Sequence, residues 1–292
     1  MNRNFRRTLL PLFDRLVRAT ASLVMALVAL PGLQAVSQES PQNVDKDRRF
    51  NAVAWMQNAA EYKVMTTQIY RLAILQLDKG LDDPTWTADE EQWAAGDFHS
   101  KQPAVILDVD ETVLDNSAFN ARNILERQRF TEESWNAWCL EERAELVPGV
   151  KAFIDAAQAR DVKVFYITNR DDIALQATIN NLLRLGLPAC ETTVLTRNEE
   201  AGRGDDKRSR RAMVAKEHRI VLLIGDSLSD ICYGMDTRDQ AERQKIALEK
   251  HALLGEGWVV LPNPAYGGWE RALLPGANAL NTARSTIDEN SK

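Results

Sequence analysis

The feature that most constrains the fold is a set of short, nearly continuous apolar runs that recur along the chain. They occupy residues 104–109, 162–168, 220–225 and 258–261. Uninterrupted apolar runs of this length are typical of strands buried on both faces, as in a parallel sheet. Helical patterns lie between them, at residues 150–160, 173–185 and 209–217. This alternation predicts an α/β fold with a doubly wound, mainly parallel sheet.

A helical extension is predicted ahead of the first strand, within residues 38–103. Apolar residues recur there at steps of three and four from Trp55 to Leu72, which is typical of one face of a long helix. Gly80 follows this pattern, and glycine after the last periodic residue commonly ends a helix. We therefore expect one helix that ends near Gly80.

The predicted core spans residues 104–270 and contains an insertion of its own. Residues 116–147 are too many for an ordinary connection between a strand and a helix. Their composition, rich in Trp, Arg and Glu, favours a cap-like helical insertion over the edge of the sheet. Residues 271–292 are left as a C-terminal tail.

The first 37 residues have the pattern of a secretory signal peptide. Five arginines and one aspartate in residues 1–18 precede an uncharged apolar run at 19–30 and then Ala35-Val36-Ser37. The run is too short to span a bilayer, and the first cysteine is Cys139, so the N-terminus offers no cysteine for lipidation. We expect a periplasmic or secreted protein with no stable membrane anchor after processing. An uncleaved amphipathic anchor is the alternative.

Composition excludes several other classes of protein. The net charge of −6 argues against a nucleic-acid polymer as partner, and the basic loop 197–211 is expected to be solvated surface. Three cysteines cannot form a four-cysteine zinc site or a disulfide scaffold, and after export they leave at least one thiol unpaired. The sequence leaves a homodimer open.

Polar residues that suit one chemistry follow the predicted strands. In an open α/β sheet, ligands bind beyond the carboxyl ends of the strands. The residues at these ends, with one lysine from a basic loop, are Asp108, Asp110, Thr112, Thr168, Asn169, Arg170, Lys207, Asp226 and Asp230. Carboxylates of this kind hold a hard divalent cation, and a hydroxyl with an ammonium can bind phosphoryl oxygens. The pattern favours phosphoryl transfer, which depends on positioning and charge stabilisation.

Four segments resemble one known family. Residues 106–117 are similar to the first motif of the haloacid-dehalogenase (HAD) superfamily, and especially to the class C bacterial acid phosphatases, the lipoprotein e(P4) family of 5′-nucleotidases. Residues 165–170 resemble its second motif, 54–63 its N-terminal helix and 261–270 its C-terminal segment. The four occur in the family's order over nearly the whole chain after the signal peptide. The resemblance implies a HAD-like core and an Mg²⁺-dependent acid phosphatase.

The resemblance also implies a role for each matching residue. Asp108 would be the nucleophile that forms an aspartyl-phosphate, and Asp110 the general acid and then base, which has to start protonated and so fits an acidic pH optimum. Mg²⁺ would be held by Asp108, the backbone carbonyl of Asp110, Asp226 and Asp230. Thr168, Asn169 and Lys207 are the phosphate-binding candidates, with loop capping as the alternative for Asn169. The motif around Asp226 departs from the family at Ser227 and Ile231 but keeps both acids.

The substrate implied by the resemblance is a small-molecule phosphomonoester, with nucleoside 5′-monophosphates among the candidates. Trp135, Tyr266 and Phe119 are the candidates for an aromatic cage around a base, and burial in the core is their alternative. Two other functions stay open. One is a phosphotransferase that uses the same intermediate, and the other is a non-catalytic binding or storage protein on the same scaffold.

Overall fold

The computed structural model describes Asp47 and residues 49–272, so the predicted signal peptide and nearly all of the predicted tail lie outside the described residues. A five-stranded parallel sheet forms the centre of the fold, in the order β5-β4-β1-β6-β7. Its strands are β1 (Gln102–Leu107), β4 (Lys163–Asp171), β5 (Val194–Arg197), β6 (His218–Gly225) and β7 (Trp258–Val260). The predicted α/β class and parallel sheet are confirmed.

Helices cover both faces of this sheet. They are α1 (Phe50–Asn58), α2 (Ala60–Asp82), α3 (Glu90–Ala95), α6 (Val150–Gln158), α7 (Leu175–Arg184), α8 (Arg208–Glu217), α9 (Leu228–Ile231), α10 (Gln240–Glu249) and α11 (Gly268–Arg271). Side chains of β1 alternate between two cores: Val105 and Leu107 pack in one, Ala104 and Ile106 in the other. This period of two, with both faces apolar, explains why the strand reads as an unbroken apolar run.

The insertion after β1 contains α4 (Ser117–Leu125) and α5 (Glu132–Leu140), framed by the two-stranded antiparallel pair β2 (Leu114–Asp115) and β3 (Glu145–Leu146). The predicted insertion is therefore helical, as expected. Asp115 accepts a hydrogen bond of 2.8 Å from the backbone N–H of Ser117 and so stabilises the start of α4.

The predicted single N-terminal helix is wrong in two respects. It breaks at Ala59, whose backbone is extended, and the break brings the rings of Trp55 and Tyr62 to 5.3 Å between centroids. The second helix also continues past Gly80, where an added Cβ would lie 2.7 Å from Val221. This glycine serves close packing on the sheet and does not end the helix.

Much of the basic loop 197–211 is exposed, as its composition predicts, but three of its basic side chains are buried. Lys207, Arg210 and Arg211 are all at most 5% exposed. They lie at the start of α8 and reach into the carboxyl edge of the sheet. Within the described residues, the structure has no helix that is long and apolar enough to cross a membrane.

Candidate active site

Three carboxylates from two neighbouring strands meet at the carboxyl edge of the sheet. Asp108 follows β1, Asp226 follows β6, and Asp230 lies in the short helix α9. One oxygen from each carboxylate lies within 4.8 Å of the others. Gly225 permits this approach, because a Cβ there would lie 2.5 Å from the Cβ of Asp230. The strand order places β1 beside β6, so this edge is where an open α/β sheet binds its ligand.

Lys207 is the cation of this cluster. Its ammonium pairs with the carboxylate of Asp108 and, at 2.7 Å, with that of Asp230. The side chains of Lys207 and Asp108 are 5% and 7% exposed, so the pair is nearly closed to bulk water. Of the basic residues in the stretch 203–211, Lys207 is therefore the one that reaches the acidic cluster.

The cluster carries more negative than positive charge, and burial increases the effect of this imbalance on the pKa values of its groups. Burial raises the pKa of Asp108 well above its usual value; Lys207 opposes this shift and the neighbouring carboxylates add to it. Burial and the charge of Asp230 raise the pKa of Asp226 to about 7. Burial would lower the pKa of Lys207, but Asp108 and Asp230 raise it, so the ammonium stays charged. Buried carboxylates in this state favour a further cation.

A divalent metal ion fits this donor set. The three carboxylates supply hard oxygen ligands, which Mg²⁺ and similar cations prefer. Two neutral groups orient one of them: Thr112 and Asn263 donate to the two oxygens of Asp226, at 3.2 and 2.8 Å. Such outer hydrogen bonds hold a ligating carboxylate in place. HAD phosphatases generally use a divalent metal, and this acidic cluster is where one would bind.

Asp110 lies at the border of the cluster, with its side chain 16% exposed. Its carboxylate accepts hydrogen bonds from the Thr168 hydroxyl at 3.0 Å and from Arg170 Nε at 2.9 Å. Asp108 and Asp110 thus face different partners, one the metal-binding cluster and the other the end of β4. The structure brings together the two aspartates that the first motif singled out.

The predicted phosphate-binding residues lie on the β4 side of the site. Thr168 is buried beside Asp110, whereas Asn169 is exposed. The amide of Asn169 donates to the carbonyl of Asp205 at 3.0 Å and accepts from Arg210 at 2.6 Å. Its side chain is therefore used to tie the loop before α8 to the end of β4.

The three aromatic candidates are split between two sides of the site. Trp135 is half-buried on the insertion helix α5, with its ring 5.6 Å from the guanidinium of Arg170. Phe119 is 3% exposed and packs under Trp135 at 5.1 Å between centroids. Tyr266 is half-buried in the segment after β7, and its hydroxyl bonds to the buried carboxyl of Glu111. Trp135 and Tyr266 are thus open to a ligand, and Phe119 supports Trp135.

Sequence analysis placed Arg170 at a strand end without a definite role and did not identify Arg210, Arg211 or Asn263 as site residues. Arg170 pairs with Asp110, Arg210 and Arg211 donate to carbonyls of Thr168 and Asp230, and Asn263 holds Asp226. A signal for most of them was present. Arg170 is two residues after Thr168 in a strand, and the two arginines of α8 are three and four residues after Lys207, so each shares a face with a predicted site residue.

Comparison with known proteins agrees with this geometry. A buried cluster of carboxylates with one lysine, at the carboxyl edge of a doubly wound sheet, defines a phosphomonoester hydrolase of the HAD type. Residues 31–269 match the family model of the HAD superfamily, subfamily IIIB (acid phosphatase). The chain belongs to this family.

Solved structures support the same assignment. The class C acid phosphatase from Bacillus anthracis is 32% identical, with a TM-score of 0.68 over 84% of this chain and 96% of that chain. A second crystal structure of the B. anthracis enzyme, with tungstate bound, matches with the same values. The resemblance to class C acid phosphatases is confirmed.

Proposed function

We propose that this acid phosphatase is an exported, Mg²⁺-dependent enzyme that hydrolyses phosphomonoesters through an aspartyl-phosphate on Asp108. The observation that carries the proposal is the buried cluster of Asp108, Asp226, Asp230 and Lys207. Its carboxylates are too crowded to serve stability alone, and this arrangement is typical of a functional site.

The reaction divides into two displacements at phosphorus. In the first, a carboxylate oxygen of Asp108 forms a bond to phosphorus, the bond to the ester oxygen breaks, and Asp110 gives its proton to the leaving alkoxide. In the second, Asp110 takes a proton from water, and the water oxygen displaces Asp108 to release phosphate. Each displacement is easier than direct attack of water on the ester.

The remaining polar groups bind the phosphoryl oxygens and the metal ion. The Thr168 hydroxyl donates to Asp110 and the Lys207 ammonium donates to Asp108, so both donors lie beside the aspartate pair. Asn169 is the third candidate for the phosphoryl oxygens. Asp108, Asp226, Asp230 and the carbonyl of Asp110 would hold Mg²⁺, whose charge offsets that of the incoming phosphate. The B. anthracis enzyme has been crystallised with bound tungstate, a tetrahedral oxyanion like phosphate, which supports an oxyanion-binding function for this fold.

Nucleoside 5′-monophosphates are the proposed substrate class. Trp135 and Tyr266 are half-buried aromatic side chains whose partners, Arg170 and Glu111, belong to the site. A base that stacks on such a ring binds with little regard to its identity.

The proposed periplasmic or secreted location rests on residues 1–37. N-terminal sequencing of the protein from its host would show cleavage after Ser37 if the signal peptide is processed there.

The test is phosphatase activity on an aryl phosphate below pH 7, with and without Mg²⁺. We expect EDTA to abolish turnover and added Mg²⁺ to restore it, and Asp226→Asn to raise the Mg²⁺ concentration needed by about tenfold or more. A panel of nucleoside monophosphates, sugar phosphates and aryl phosphates then ranks the substrates. Full activity in EDTA would refute the metal dependence, and phosphorylated alcohols among the products would show a transferase.

A further inference from the structure

Arg170 is a fully buried cation next to the proposed general acid. Its side chain is 1% exposed, so it is shielded from any ligand that enters from solvent. It nevertheless forms an ion pair with Asp110, with Nη2 at 2.8 Å and Nε at 2.9 Å from the same oxygen, Oδ1. Burying an arginine costs free energy unless its guanidinium is paired and hydrogen-bonded. Here the ion pair is directed at one carboxylate oxygen.

The two oxygens of Asp110 have unequal surroundings. Oδ1 accepts two hydrogen bonds, from Arg170 Nε at 2.9 Å and from Asn116 Nδ2 at 3.0 Å, and it also forms the ion pair with Arg170 Nη2. Oδ2 receives the hydroxyl of Thr168 at 3.0 Å. That hydroxyl accepts the backbone N–H of Arg170 at 3.1 Å, so its own hydrogen points to Oδ2. Oδ1 thus faces the guanidinium and two N–H donors, whereas Oδ2 has one hydroxyl partner, so Oδ2 is the oxygen better placed for proton exchange.

Helix α7 and the insertion together hold Arg170 in this position. Its Nη1 donates to Thr178 of α7 at 3.2 Å, and its Nη2 lies 3.3 Å from Asn116 Oδ1 at the start of the insertion. The same Asn116 oxygen accepts the indole N–H of Trp138 at 2.8 Å, and Trp135 covers the guanidinium. Asn116 therefore contacts Asp110, Arg170 and Trp138 at once. The helices of the insertion fix the arginine, and the arginine fixes the carboxylate.

We propose that Arg170 is a positioning residue that orients Asp110, so that Oδ1 is occupied and Oδ2 exchanges the proton with the leaving group. This inference rests on the proposed role of Asp110 as general acid. Arg170 acts on the reaction through Asp110 alone and touches neither the substrate nor the metal-binding cluster. The insertion therefore contributes to proton transfer as well as to the wall of the site.

Leaving-group dependence tests the inference, because a good leaving group departs without a proton. For Arg170→Met in the full-length protein with Mg²⁺, we expect kcat/KM to fall about 100-fold for a nucleoside monophosphate and less than about tenfold for 2,4-dinitrophenyl phosphate. The parameter kcat/KM reports the first displacement, where the proton is given. In the double variant with Asp110→Asn, the arginine change should cause no further loss, because both act at one step.

Arg219→Met is the matched control. Arg219 is also buried, at 6% exposed, but it lies at the amino end of β6 and donates to backbone carbonyls there. Its loss should lower stability without any selectivity between the two substrates. Equal losses on both substrates for Arg170→Met, or losses that multiply in the double variant, would overturn the inference.

Two further measurements separate the possible failures. If Asp110→Asn shows no leaving-group dependence by itself, the proposed role of Asp110 fails. If that variant shows it and Arg170→Met does not, only the inference fails. Should Arg170→Met not fold, Arg170→Lys keeps the charge but loses the two-donor fork, and we expect a smaller loss confined to the nucleotide. An equal loss on both substrates, or none, in Arg170→Lys would overturn the inference.

Discussion

The two ends of strand β6 bury charge in opposite ways. At the amino end, Arg219 donates through Nη1 to the carbonyls of Gly80, Asp83 and Trp86 at 3.1, 2.8 and 3.1 Å. At the carboxyl end, Asp226 shares a small volume with two more carboxylates and one ammonium. The amino end joins one cation to neutral acceptors, whereas the carboxyl end crowds like charges together.

This difference shows how burial alone fails to identify a functional site. A buried cation that is hydrogen-bonded to backbone carbonyls fastens loops to a strand, because it supplies donors to polar groups that are shielded from water. Buried carboxylates that raise each other's pKa lower the stability of the fold, so their retention points to chemistry. We expect the amino end of β6 to govern stability and the carboxyl end to govern activity, and the experiments below test that separation.

The largest expected effect is loss of turnover in Asp108→Asn. The amide keeps the shape of the carboxylate but is a poor nucleophile, so kcat/KM for an aryl phosphate should fall by more than about 10⁴-fold. The melting temperature should stay the same or rise, because one of three repelling carboxylates is removed while Lys207 keeps its partner Asp230. Parallel kinetics and thermal melting measure both quantities.

Arg219→Met should show the opposite result. Three carbonyls lose a charged donor, and we expect the free energy of unfolding to fall by about 2–4 kcal/mol. Below the melting temperature, kcat/KM should remain within about twofold of wild type. The separation would be wrong if Arg219→Met lost kcat/KM as strongly as Asp108→Asn. It would also be wrong if Asp108→Asn strongly lowered the melting temperature.

The second largest expected effect is a pH dependence of the free energy of unfolding, measured in EDTA. The pKa of Asp226 is raised to about 7 from 3.8, chiefly by burial. The folded protein therefore binds this proton more tightly than the unfolded chain, and the stability this contributes is lost as pH rises from about 4 through about 7. The loss should be on the order of a few kcal/mol. Denaturant unfolding at several pH values measures it.

Asp226→Asn and added Mg²⁺ sharpen this measurement. The amide cannot ionise, so the variant should lose less stability than wild type over the same pH interval in EDTA. Saturating Mg²⁺ should remove the loss in wild type, because the cation binds the ionised carboxylates and stabilises the folded state. Identical pH profiles for wild type and Asp226→Asn would show that this carboxylate does not carry the raised pKa.

The sequence predicted the sheet better than it predicted the N-terminal helices. The apolar runs of β1 and β6 are set by burial on both faces, which leaves little choice of residue. The break at Ala59 accompanies a contact between Trp55 and Tyr62 that the helical pattern does not anticipate, and Gly80 packs against Val221, which is distant in the sequence. Periodicity records which face is buried, and it does not record where a helix breaks or how closely a glycine packs.

The residues of the site likewise divide into those that could be predicted from the sequence and those that could not. The aspartates and Thr168 could be predicted because they follow apolar strands and match known motifs. The burial of Arg170 could not be predicted although its place at a strand end was, and Arg210 was not identified, since arginine is mostly exposed and a basic run normally marks solvent. Only the fold shows that both point inward, where each is at most 1% exposed. Charge patterning needs the strand and helix register before it can separate a buried cation from a surface one.

The smallest expected effect concerns Trp135, which contacts Arg170 and is also a candidate for base stacking. In Trp135→Leu, kcat/KM for a nucleoside monophosphate should fall about tenfold from lost stacking. Ribose 5-phosphate is the matched substrate, because it has the same leaving oxygen and no base. A loss that both substrates share reports the contact with Arg170, and the additional loss on the nucleotide reports stacking. If the two losses are equal, the aromatic ring only supports the arginine, and the base is bound elsewhere or not at all.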